Sequence, residues 1–390
     1  MNYCKKCVST DTRPKTIFDD DGICKACKYT ESIKTINWKK RLEQLKEIAD
    51  NTKEIAAKRN TYDCAIGVSG GKDSLLQAIY ARDTLGLNPL LVNSVPEEIT
   101  KIGQHNIDNL SKLGFDMIKL RPNPNLMRDM IKRDFFVHCN PQKVTEYTLW
   151  SSVFHIALGF NIPLVIQGES QALTLGVETT GHDMDSTTIT DANTIETDAF
   201  EEYKHIGEKN LIQFRFPDKQ KLRDANIKGI YLQYFLKDWS WRNNAIFSSK
   251  YGLETMNVEN LKTIGRYTTF GQLDSEMNIY NQMIKYIKFG FGFATDEASY
   301  DIRDGYITRD EGIALVKKYD GLCDRGYVER FCNYIDITVK EFWTIVNKHR
   351  GPMWENIDGT WKLDNPIYEQ VNTDHIDTDS VLERLSKIGE

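Results

Sequence analysis

Short apolar runs alternate with longer amphipathic stretches along the middle of the chain. Residues 64–68, 90–95, 115–120 and 163–167 are apolar runs of strand length, the pattern of strands covered on both faces. Between them, residues 73–85, 98–113, roughly 125–136 and 145–159 place apolar side chains at helical spacing. This alternation predicts an α/β fold with a doubly wound parallel sheet, whose ligands sit beyond the carboxyl ends of the strands. Residues 38–59 read as a further amphipathic helix, with Leu42, Leu45, Ile48 and Ile55 on one face. From residue 239 the chain is mainly helical and aromatic. The expected organisation is a small module over 1–35, a connecting helix over 36–60, the α/β domain over 61–238, and a helical region over 239–390 that binds substrate or partners.

Residues 170–210 break the pattern. They are rich in Thr, Asp, Gly and Ser and show little periodicity. A loop of this length inside a domain is usually functional or disordered. It follows directly from the end of the fourth strand, so it is expected to cover the site, and His182 within it is a candidate substrate contact.

The first strand runs through Gly67 and Val68 into Ser69-Gly70-Gly71-Lys72-Asp73-Ser74, where a helical pattern begins. Amides at such a turn have no intrahelical partner, and the helix dipole adds partial positive charge. Two glycines let an anion approach the backbone, Lys72 adds a full charge, and two serines add hydroxyls. The combination suits a phosphate chain, although the G-x-x-x-x-G-K-[ST] spacing of the more familiar phosphate loop is absent. The neighbouring strand ends, Asn93-Ser94 and Gly168-Glu169, are expected to reach the same nucleotide.

Cys4-x-x-Cys7 and Cys24-x-x-Cys27 form two knuckles with the spacing of a structural zinc site. A segment this short has too little core to fold alone, so metal would supply much of its stability. Cys64, Cys139, Cys323 and Cys332 show no ligand spacing.

Composition narrows the class. Hydrophobic content of 40% and charged content of 27% suit a globular protein. No apolar run is long enough to cross a membrane, and no secretory signal opens the chain, so a cytoplasmic location with no membrane partner is expected. Net charge is −6, with 14 Lys/Arg against 9 Asp/Glu in residues 1–60. An acidic body of this kind makes nucleic acid an unlikely partner.

The SGGKDS loop is similar to that of the N-type ATP pyrophosphatases, or PP-loop enzymes, which cleave ATP between the α and β phosphates. The paired CxxC, GVSGGKDS, LVIQGES and the stretch KFGFG…ATDEAS…IRDGYITRDEGI…YDG together resemble the N-acetyl sugar amidotransferase family of the WbpG and PseA type. The resemblance implies conversion of an acetamido group to an acetamidino group. Its substrate would be an acidic sugar, nucleotide-linked or a nonulosonic acid, destined for lipopolysaccharide or flagellin. It implies ATP and Mg²⁺, with Lys72 at the leaving phosphate and Asp73 placing the metal. Arg303 and Arg309 are then candidates for a carboxylate clamp. No cysteine sits in a glutaminase context, so separate glutaminase and ammonia-channel proteins are implied, similar to the paired subunits of histidine biosynthesis. A tRNA-thiolating PP-loop enzyme is the alternative, since it would share the loop and the zinc knuckles.

Overall fold

The computed structural model describes residues 1–177, 183–191 and 197–388. Its centre is a five-stranded parallel sheet in the order β3-β2-β1-β4-β5. The strands are β1 (Cys64–Gly67), β2 (Pro89–Ser94), β3 (Asp116–Leu120), β4 (Leu164–Gln167) and β5 (Lys228–Tyr231). Register is continuous across the centre: Ala65 pairs with Leu90 on one side and with Val165 on the other. The chain departs from β1 towards β2 and later returns to β4 on the opposite side. The order therefore reverses between β1 and β4, which opens a crevice at their carboxyl ends.

Both faces of the sheet are buried at its centre, in β1, β2 and β4, while the edge strand β3 is partly exposed. Cys64, Ile66, Leu91 and Ile166 share one core with α2 (Trp38–Arg59), α3 (Lys72–Ile79) and α4 (Lys101–Lys112). Ala65, Leu90, Val92 and Val165 share the other with Val153, Phe154 and Ala157 of α6 (Lys143–Gly159). Helix α2 is part of the sheet's cover: its buried line is Leu45, Ala49, Thr52 and Ala56. Leu42, expected on the apolar face, is exposed. Asn37 caps the helix start, accepting from the Lys40 amide at 3.0 Å.

Strand β5 has no counterpart in the apolar pattern. It is four residues long with Gly229 at its second position, and only its pairing with β4 identifies it. The segment after β4 also differs from the expected cover. Helix α7 (Gln171–Leu175) stays beside the strand end, but residues 183–191 run along the outer edge of β5, where Tyr231 N–H donates to Met184 O at 2.9 Å. Further on, Phe200 and Tyr203 are buried in a core with α5 (Pro124–His138) and α6. Apolar side chains and an ion pair from Arg133 to Glu202 at 2.9 Å anchor this part of the segment away from the crevice.

The C-terminal region consists of helices, with one antiparallel hairpin of β6 (Trp354–Ile357) and β7 (Thr360–Leu363). The helix Phe293–Asp304 is its hub. Asp301 makes a bidentate pair with Arg242, at 2.6 and 2.7 Å, and accepts from the Tyr267 hydroxyl at 2.8 Å. Asp296 is held between Arg13 of the N-terminal module and Lys285, the latter at 2.6 Å. Glu297 accepts from the amides of Tyr267 and Thr268. The cysteine module thus rests on the C-terminal helices, with Val8 in their apolar core.

Removing one partner of a fully buried ion pair leaves the other charge uncompensated. Asp301→Ala should therefore destabilise the fold by about 3–5 kcal/mol, read as a lowered denaturant midpoint. A midpoint shifted no more than that of a surface Asp→Ala change would contradict the role given to this pair.

Candidate active site and metal centre

Strand β1 delivers Val68 into the loop, and Val68 N–H still donates to Val92 O at 2.9 Å. The buried Asn93 Nδ2 donates to Val68 O at 2.8 Å, so the second strand end pins the base of the loop. Ser94 Oγ is within 3.3 Å of Thr148. Gly70 has φ +82°, and a Cβ there would meet the Ile107 amide nitrogen at 3.1 Å. Only glycine combines that conformation with that close approach of α4. Gly71 N–H donates to Ser69 Oγ at 3.3 Å, and Ser74 Oγ donates to Gly71 O at 2.9 Å. No side chain caps α3, so the amides of its first turn remain available to an anion.

Lys72 and Asp73 begin the helix and face the crevice. Lys72 Nζ pairs with Asp73 Oδ2 at 2.5 Å and lies 3.7 Å from the ring centroid of Trp241. Asn244 Nδ2 donates to Asp73 Oδ1 at 2.6 Å, and Ser248 Oγ donates to Lys72 O at 2.6 Å. The helix Trp241–Ser249 therefore braces the loop from the far side. Gly168, at the end of β4, is packed so closely that a Cβ would come within 2.5 Å of Gln77 Nε2. Glu169 follows it into the crevice, with Thr174 Oγ1 3.5 Å away. Burial, reinforced by the nearby Asp73 charge, pushes the Glu169 carboxyl up to about 7.

These residues share one cleft. Lys72, Asp73 and Glu169 line it together with Trp241 and Asn244, and with Tyr300, Arg303 and Asp304 from the C-terminal hub helix. Trp239, Trp241 and Asn244 were not anticipated as site residues, and neither were Tyr300 and Asp304. The paired tryptophans at the start of the helical region were the only local signal, since tryptophan is costly to place without a packing or binding role. Arg303 is in the cleft as expected, with Nη2 donating to Thr174 O at 3.0 Å. Arg309 is not. Its guanidinium donates to the carbonyls of Cys7 and Cys4 at 3.1 and 3.2 Å, so it clamps the cysteine module instead of facing substrate. His182 lies outside the described residues.

The four cysteines form a separate centre. The sulfurs of Cys4, Cys7, Cys24 and Cys27 all lie within 4.8 Å of one another, and all four residues are buried. Cys4 Sγ is 3.9 Å from Cys27 Sγ, and Cys7 Sγ is 3.7 Å from Cys24 Sγ. A tetrahedron of thiolates with Zn–S bonds of about 2.3 Å has edges of about 3.8 Å, so the set fits zinc. Backbone amides of Lys6, Ser9 and Cys24 donate to the sulfurs at 3.3–3.4 Å. Four ligands leave no open position, so the metal would be structural.

Residues 264–368 match the family described as LPS biosynthesis protein WbpG-like, C-terminal domain. The chain therefore carries a C-terminal stretch similar to the C-terminal domain of WbpG-like proteins, following a five-stranded parallel α/β domain. It is 32% identical over 133 residues to an uncharacterized protein, MJ1599, of Methanocaldococcus jannaschii. That match takes in 33% of this chain and 47% of the relative, so the chain spans about half of that protein. Among solved structures, an NH3-dependent NAD synthetase from Campylobacter jejuni aligns with 49% of this chain and 92% of its own, at 17% identity and a TM-score of 0.29. An NMN synthetase from Francisella tularensis aligns with 49% of this chain and 82% of its own, at 11% identity and a TM-score of 0.28.

Two outcomes are expected. Protein purified without chelator should contain one zinc per chain, and Cys24→Ser should lose it together with stability. A metal content of zero with reduced thiols would remove the zinc assignment. The second concerns Glu169. Its folded carboxyl is raised above its ordinary value, so the fold binds the proton more tightly than the unfolded chain does. Stability is lost as pH rises from about 4.5 to about 7. Glu169→Gln removes that loss, and should raise the melting temperature at pH 8 more than at pH 5. An equal change at both pH values would show that ionisation of Glu169 carries no such cost.

Proposed function

We propose that this chain is an ATP-dependent amidotransferase that converts an acetamido group on an acidic sugar to an acetamidino group, in the synthesis of a bacterial surface glycan. One observation carries the reading. The WbpG-like domain contributes Tyr300, Arg303 and Asp304 to the same cleft that holds Lys72, Asp73 and Glu169. A domain matched to lipopolysaccharide biosynthesis therefore walls the place where a nucleotide would react.

The chemistry follows from what an amide lacks. Its carbonyl is a weak electrophile and its oxygen a poor leaving group. Attack of that oxygen on the α-phosphorus of ATP forms a new O–P bond. The bridging Pα–O–Pβ bond breaks and pyrophosphate leaves with the electron pair. Ammonia then adds to the imidate carbon, the C–O bond breaks, and AMP departs. The amidine carries the remaining N–H protons. In this scheme the α3 amides and Lys72 stabilise the charge that develops on the departing pyrophosphate. Asp73 and the ionised Glu169 would hold Mg²⁺, which neutralises phosphate charge. Arg303 adds positive charge on the opposite wall.

Ammonia requires a source. No cysteine is among the residues lining the cleft. Burial pushes the thiols of Cys139 and Cys323 up to about 12 and that of Cys332 up to about 11, and raises that of Cys64 as well. A nucleophilic thiolate needs the opposite shift. We therefore assign glutamine hydrolysis and ammonia transfer to partner proteins. The same thiols weigh against a tRNA-thiolating role, which calls for a reactive sulfur near the nucleotide.

The purified chain with ATP, Mg²⁺, an ammonium salt at alkaline pH and an acidic acetamido sugar should yield AMP, pyrophosphate and a sugar about one mass unit lighter. Lys72→Ala should slow adenylation by about a hundredfold or more, the scale of losing one oxyanion-type donor. ADP and orthophosphate as primary products would refute the assignment. Sulfur incorporation into tRNA would transfer it to the thiolase reading.

A further inference from the structure

A second cavity, of about 700 Å³, lies on the other side of α7 from the cleft, within the size range of small-molecule sites. Leu173 and Thr174 of this segment line the cleft, while Leu175 and Val177 line the cavity. The cleft and the cavity therefore adjoin along the segment 173–177. Tyr300 lines the cleft.

The cavity is cationic. Arg13, Lys143, Lys285 and Lys288 line it, each from a different turn or element. The acidic groups near them are already engaged. Glu202 is held by His138 at 2.7 Å and Arg133 at 2.9 Å, with Lys143 only third at 3.6 Å. Asp296 is shared between Arg13 and Lys285. Glu146 also lines the cavity. Lys288 Nζ donates only to the carbonyls of His138 and Cys139, at 2.7 and 3.4 Å. Among the described residues lining this cavity, two buried polar atoms have no partner: Arg13 Nε, a donor, and Gln282 Oε1, an acceptor. The Gln282 amide nitrogen is used, donating to Gln272 at 3.2 Å. Phe289 and Phe291 supply flat apolar surface at the same wall.

A ligand that suits this lining is anionic, carries hydroxyl donors and acceptors, and has an apolar face. We propose that this cavity holds the carboxylate-bearing end of an acidic, hydroxylated sugar, whose acetamido group then reaches past residues 173–177 to the cleft. The proposal takes the acidic sugar from the proposed function and assigns it a carboxylate site distinct from Arg303 and Arg309. Lys143 and Lys288 supply the charge, and Gln282 accepts from a hydroxyl. Bidentate or paired cationic contacts to a carboxylate are strong when water is excluded, and each is lost when its side chain is made apolar.

The test uses the full chain and two probes, an N-acetylhexosaminuronic acid and N-acetylneuraminic acid, with neutral N-acetylglucosamine as control. Binding is read by titration calorimetry and by ligand-observed NMR, without ATP. The acidic sugars should bind, the neutral one at least about tenfold more weakly, and affinity should fall with added salt. Lys143→Met and Lys288→Met should each weaken acidic-sugar binding by about tenfold or more. Gln282→Leu, which leaves every charge in place, should weaken both acidic sugars without changing the salt dependence. Zinc content and melting temperature identify any variant that has merely unfolded. Equal binding of neutral and acidic sugars, or affinities unchanged in all three variants, would overturn the proposal. So would tRNA binding that depends on the two lysines while the sugars fail to bind. Acidic-sugar binding that depends on these residues, with no AMP formed when ATP and ammonium are added, would refute the amidotransferase reading and leave the cavity assignment standing.

Discussion

Asp296 is buried between Arg13 and Lys285, and on the same helix Asp301 is buried against Arg242. A carboxylate taken out of water tolerates little displacement of its partners, because desolvation of both ions is offset only at close range. These pairs therefore constrain three separate parts of the chain to one helix. Arg13 brings the cysteine module, Lys285 brings the preceding helix, and Arg242 brings the helix that also braces the phosphate loop. Glu297, between them, is satisfied by backbone amides of Tyr267 and Thr268. The placement of Tyr300 and Arg303 in the cleft follows from these contacts on neighbouring turns.

The loop itself rests in a self-paired arrangement. Lys72 neutralises Asp73 and lies against Trp241, while Asn244 holds the other carboxylate oxygen. A phosphate chain offers Lys72 a better partner, and a divalent cation offers Asp73 one. Binding of the two together would exchange one internal ion pair for two external ones. Glu169 adds a constraint, because burial and the Asp73 charge favour its neutral form. Positive charge arriving in the cleft favours the ionised form. Charge in the cleft is thus balanced internally before ligands enter, which limits the cost of keeping three ionisable groups out of water.

Much of this was legible from residue order alone. The central strands β1, β2 and β4 are short apolar runs bounded by turn residues, the pattern of strands buried on both faces. The SGGKDS loop and the doubled CxxC are local, so their geometry is set by consecutive residues. Strand β5 was not legible, because Lys-Gly-Ile-Tyr has neither the length nor the pattern of a strand and is defined by its neighbour. The same holds for Trp241, Asn244 and Tyr300, which lie more than 160 residues from the loop in sequence. Arg303 and Arg309 show the limit most clearly. They are six residues apart in one motif, yet one faces the cleft and the other holds the carbonyls of Cys4 and Cys7. A turn at Gly305, φ +80°, separates the two helices and sends the side chains to different sites.

The cysteine centre, far from the SGGKDS loop in sequence, bears on the same helix pair. Arg309 grips the knuckle backbone, Val8 fills the apolar core beneath it, and Arg13 reaches Asp296. A free segment of this length could not hold three such contacts, since its own core is four cysteines and a few small apolar side chains. A metal held by the four thiolates would supply the missing rigidity. The N-terminal module then acts as a strut for the hub helix, and through that helix it sets the Tyr300, Arg303 and Asp304 wall of the cleft.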